Sequence, residues 1–91
     1  MENADLPESA SILIHAVETA QQKDHAFAIL EIVLACTHPD FVMSVTNAAM
    51  LPAQLRQAVR DLISTVLLEG LDPAQAARLF AWAQAKMMSG P

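Results

Sequence analysis

The stretch that most constrains the fold is HAFAILEIVLAC, residues 25–36, because as a helix it is apolar on nearly every side. At about 100° per residue, only one narrow stripe of this helix can face solvent. The stripe consists of Asp24, Ala28, Glu31 and Ala35. The other positions are mostly large and apolar, so the helix needs cover on several sides. The sequence therefore predicts a central helix that is flanked on both sides by other helices.

Prolines, glycines and capping residues divide the rest of the chain into four further helices. We expect them over about residues 7–22, 39–49, 52–69 and 73–88. Asp5 and Glu8 form a capping box at the start of the first helix, and Asp24 is placed to cap the central one.

The later boundaries have comparable signals. Thr37 and Asp40 form a cap-like pair before the third helix. Pro52 suits the first turn of the fourth helix, and Gly70 is expected to end that helix in the left-handed conformation. Asp72, followed by a proline, caps the fifth helix.

These features predict the fold class. No segment alternates apolar and polar residues as a half-buried strand does. A chain of 91 residues is also too short for a second hydrophobic core. We therefore expect residues 1–91 to form a single all-α domain of about five helices, without a β-sheet. Its short connections favour a bundle or a set of stacked helical hairpins.

Composition and charge favour a protein partner. Hydrophobic residues make up 54 % of the chain and charged residues 16 %, so part of the apolar excess is expected to reach the surface. The net charge is −5 and the five basic residues are scattered, which disfavours nucleic acid and anionic membranes. The longest apolar run is too short to cross a bilayer. A single cysteine and an acidic N-terminus predict a cytoplasmic protein.

No constellation of residues indicates catalysis. The two glycines both fall at expected helix ends, so a phosphate-binding loop is excluded. Cys36, His38 and Asp40 stand close in the sequence, but they lack the paired spacing of zinc ligands and an orienting group for a nucleophile. We expect no catalytic residue, no metal site, no cofactor and no small-molecule substrate.

Large apolar residues occupy polar positions in three of the predicted helices. Trp82 falls among Gln75, Arg78 and Lys86 on the expected polar face of the fifth helix. Leu67 and Leu68 leave the core stripe of the fourth helix. In the third helix Phe41, Val45 and Ala48 are expected to face inward, which leaves Met43 and Met50 beside polar residues. The partner-binding residues predicted from this pattern are Trp82, Arg78, Lys86, Leu67, Leu68, Met43 and Met50. For Leu67 and Leu68 the alternative is that they pack under the final helix.

The resulting hypothesis is a small, acidic interaction module without catalysis of its own. It would bind another protein, or a second copy of itself, through apolar helix faces, as a chaperone, adaptor, antiactivator or immunity-type protein does. The alternative is a dimeric helical transcription regulator that binds DNA weakly through Arg56 and Arg60, which lie one helical turn apart.

Overall fold

A computed structural model describes residues 6–89 as five α-helices, and no strand occurs among these residues. The helices are α1 (Glu8–Glu18), α2 (Lys23–Thr37), α3 (Val45–Ala49), α4 (Ala53–Leu68) and α5 (Pro73–Ser89). The all-α prediction is confirmed. Across these residues, no helix is both long enough and apolar enough to span a membrane.

The helix α2 is the centre of the fold. It packs against each of the other four helices, while α1 also packs on α4, and α5 packs on α2 alone. Ile29, Leu30 and Ile32 of α2 are completely buried, as the sequence pattern requires of a helix covered on several sides. The prediction of a central helix is thus confirmed.

Two predicted boundaries near the N-terminus differ from the structure. The helix α1 ends at Glu18 rather than near residue 22, because the chain turns there and Thr19 closes the last turn by donating from Oγ1 to the His15 carbonyl (2.8 Å). The prediction that Asp24 caps α2 is wrong, since this helix already begins at Lys23 and Asp24 lies within its first turn. Asp5, the first half of the predicted capping box, lies outside the described residues.

The segment between α2 and α3 is the largest departure from the predicted helices. Residues 38–44 are not helical, and α3 is a short helix that begins at Val45. Thr37 and Asp40 do not cap it, because the Thr37 hydroxyl donates backwards to the Val33 carbonyl (2.8 Å). Ser44 is the actual cap, and its Oγ accepts from the backbone N–H of Asn47 at 3.1 Å.

The turn between α4 and α5 agrees with the sequence signals. Gly70 has φ 78°, the left-handed conformation expected after a helix, and its N–H donates to the Thr65 carbonyl at 2.9 Å. The Asp72 carboxylate accepts from the Ala74 N–H at 3.2 Å, and Gln75 Oε1 accepts from the Asp72 N–H at 3.2 Å. This reciprocal pair is a capping box, so the predicted start of α5 is confirmed.

The predicted inward face of the third helix is largely wrong. Ala48 is buried, but Val45 is 74 % exposed and Phe41 is partly exposed beside the chain reversal at residues 38–40. The prediction assumed a regular helix over 39–49. Without helical geometry in residues 38–44, side chains three or four positions apart no longer share a face.

Because α2 lies at the centre of the fold, a cavity in it should lower the stability of the whole domain. We expect Leu30→Ala, at a completely buried position, to lower the free energy of unfolding by about 2–5 kcal/mol, because it removes packed atoms and leaves a cavity. The same change at Leu68, which is 83 % exposed, should alter it by no more than about 0.5 kcal/mol. Urea unfolding followed by circular dichroism measures both. Equal effects of the two substitutions would contradict the placement of α2.

Candidate protein-binding groove

One hydrogen bond fixes the non-helical segment 38–44 to the central helix. The backbone N–H of Ser44 donates to Glu31 Oε1 at 2.6 Å, a short distance typical of a bond to a carboxylate. Glu31 is only partly buried, on the stripe of α2 that the sequence assigned to solvent. Ser44 thus joins α2 through its backbone and caps α3 through its side chain. These two bonds place α3 beside the middle of the fold.

Three aromatic rings hold the other end of the same segment. His38 stacks on Phe80 of α5, with ring centroids 4.9 Å apart and an angle of 25° between the planes. Phe41 meets both rings at steep angles, with centroids 5.5 Å from His38 and 5.7 Å from Phe80. The backbone N–H of Asp40 donates to His38 Nδ1 at 3.1 Å, which orients the imidazole. Offset and edge-on ring pairs contribute about 0.5–1.5 kcal/mol each, so the segment is anchored to α5 as well as to α2.

Between this segment and α4 lie two adjoining cavities, each of about 320 Å³. Both are lined by Met43 and Ile63, so they lie next to each other, and we call the two together the α4 groove. The first cavity is completed mainly by Val45, Ala48, Ala49, Val59, Arg56 and Arg60. The second is completed by Ala35, Cys36, Val42, Val66 and Leu67.

The α4 groove exposes large aliphatic side chains to solvent. Val42 is 83 % exposed and Leu67 is 76 % exposed, and Val45 at the opposite end is similarly open. Single exposed hydrophobic residues are ordinary, but a continuous apolar surface on a small protein marks an interaction site. Because its exposed residues line two adjoining cavities, the groove is a candidate for such a site.

Positive charge is confined to one end of the α4 groove. Arg56 and Arg60 line the first cavity, whereas the residues that line the second are all uncharged. Arg60 pairs with Asp61 at 3.5 Å, but both side chains are largely exposed, and such surface pairs hold an arginine only weakly. Arg56 has no ion-pair partner in the described part of the chain. It lies in the first turn of α4, where the helix dipole disfavours a cation by about 0.3–1 kcal/mol.

Two of the predicted partner-binding residues belong to this groove. Met43 lines both cavities, and Leu67 lines the second one. Leu68 is equally exposed but lines neither cavity. The alternative that Leu67 and Leu68 pack under the final helix is wrong, because the two side chains are 76 % and 83 % exposed.

Met50 is exposed at a different place. It lines a separate cleft of about 370 Å³ together with Phe27 and Leu51, and this cleft shares no lining residue with the α4 groove. The structure therefore does not bring Met50 together with Met43, although the two residues were predicted to share one helix face. The loss of helical geometry before Val45 separates them.

Trp82 does not project into solvent as the sequence pattern suggested. It is partly buried and packs against the hydrophobic core, to which the completely buried residues Leu79 and Ala83 of the same helix belong. Arg78 and Lys86 are also partly buried, whereas the alanines of α5 at 74, 77, 81 and 85 are exposed. Long cationic side chains can cover apolar surface with their methylene groups, and alanine has little surface to bury. Arg78 and Lys86 therefore do not mark the solvent face of α5. None of Trp82, Arg78 and Lys86 lines the α4 groove.

The sequence interpretation missed Val42, Val45 and Ile63 as residues that line the groove. The available signal was FVMSV, residues 41–45, which has three β-branched or aromatic residues and no helix former except Met43. Arg56 and Arg60 were considered only for DNA binding. Their position beside apolar cavities depends on how α3 packs on α4, which no local pattern encodes.

The described residues offer little reactive chemistry. They contain no group of three or more histidine, cysteine or acidic side chains that could hold a metal ion. His15 and His25 both line an open cleft of about 530 Å³ between α1, α2 and α4, together with neutral residues. Burial raises the pKa of the Cys36 thiol above its ordinary value, which leaves the sulfur less nucleophilic at neutral pH.

The chain matches no protein-family model, and no significant match was found among curated proteins or solved structures. The α4 groove is therefore the feature from which a function can be argued.

The bond between Glu31 and Ser44 should be important for stability. We expect Glu31→Ala to lower the free energy of unfolding by about 1–3 kcal/mol, because the Ser44 N–H loses a charged acceptor. Glu31→Gln keeps an acceptor oxygen and should have a smaller effect. Urea unfolding of the three proteins gives the order, and a Glu31→Ala variant as stable as the wild type would contradict this role.

Cys36 should react slowly in the folded protein. Because its pKa is raised, a smaller fraction is present as thiolate at pH near 8 than for a free thiol, and the thiolate is the reactive form. The rate with an aromatic disulfide reagent should therefore be lower than that of glutathione, and it should rise when the chain is unfolded in urea. A folded-state rate equal to the unfolded-state rate would refute the assigned environment.

Proposed function

We propose that this protein is a non-catalytic interaction module that binds another protein through the α4 groove. The observation that carries the proposal is that two apolar cavities lie next to each other, with Met43 and Ile63 in both linings. Their combined lining supplies an apolar floor with arginine at one edge. Methionine and arginine are both enriched at protein interfaces, and arginine is frequent among the residues that dominate binding energy.

The shape of the groove favours a protein segment over a small molecule. Sites for small ligands are usually enclosed and contain a few convergent polar groups that fix the orientation of the ligand. The α4 groove is open, and apart from Ser64 its polar groups are the two arginines at one end. A partner that contributes several apolar side chains along its length makes better use of such a surface.

DNA binding through Arg56 and Arg60 has less support. Binding to phosphates requires several clustered cations, and these two arginines lie beside Val45, Val59 and Ile63 on a chain with net charge −5. Arg60 also has Asp61 next to it at 3.5 Å. An apolar surface with cations at its edge is better suited to a protein. A cytoplasmic adaptor, chaperone or antiactivator is the kind of molecule that this surface would serve.

The proposal can be tested with two adjacent leucines. Leu67 and Leu68 have similar exposure, but only Leu67 lines the groove. In affinity purification from the native host, we expect Leu67→Glu to abolish recovery of the specific partner, because it places a charge in an apolar cavity. Leu68→Glu should retain the partner.

Both variants should keep the helical circular dichroism of the wild type, which controls for folding. Identical recovery of partners by the two variants would refute the groove as the binding site. As a second arm, retardation of duplex DNA that is lost when Arg56 and Arg60 are both replaced by Glu would favour the regulator instead.

A further inference from the structure

We draw no further inference here: the strongest candidate, the apolar surface of the α4 groove, exposes Val42 and Leu67 to solvent, and nothing in the structure shows what covers it.

Discussion

The structure depends on the need to cover α2. This helix has large apolar side chains on nearly every side, so exposing any one of its faces would be unfavourable, and at least two neighbours are required. In the fold all four other helices contact it. The helices α1, α2 and α4 all pack on one another, and α3 packs on both α2 and α4. The helix α5 packs on α2 alone.

The cover of α2 is incomplete near its C-terminal end, and this is where the groove lies. Ala35 and Cys36 line the second cavity, because the chain that follows α2 is not a helix long enough to lie across them. Residues 38–44 instead cross as an irregular segment, held by Glu31 at one point and by the rings of Phe80 and His38 at another. Val42 of this segment is 83 % exposed. The groove thus results from the way in which the other segments cover the central helix. The hydrogen bond from Ser44 to Glu31 contributes to that arrangement.

The sequence predictions were accurate where a residue has a strong local effect on the backbone, and less accurate where the structure depends on distant contacts. The start of α5 and the end of α4 were predicted correctly, because Gly70 and Asp72 have local backbone roles that few other residues can fill. The third helix was predicted too long, since the cap that begins it, Ser44, depends partly on a carboxylate thirteen positions earlier. Trp82 was assigned to the solvent face of α5 because its neighbours Arg78 and Lys86 are polar. Those two long side chains are themselves partly buried, so the assignment was wrong. Of the predicted binding residues, only Met43 and Leu67 lie in the groove.

The sequence by itself determined that the domain is all-α and that α2 is its centre, because the period of apolar residues and the caps are properties of neighbouring positions. It also determined the excess of apolar surface, which follows from composition and length. Only the tertiary structure decided where that surface collects. The cavity that joins Val59 and Ile63 of α4 to Met43 exists because two segments distant in sequence pack side by side. The position of Arg56 and Arg60 at the edge of this cavity also depends on tertiary packing. Which side of α4 faces solvent is decided by the elements that pack against the helix.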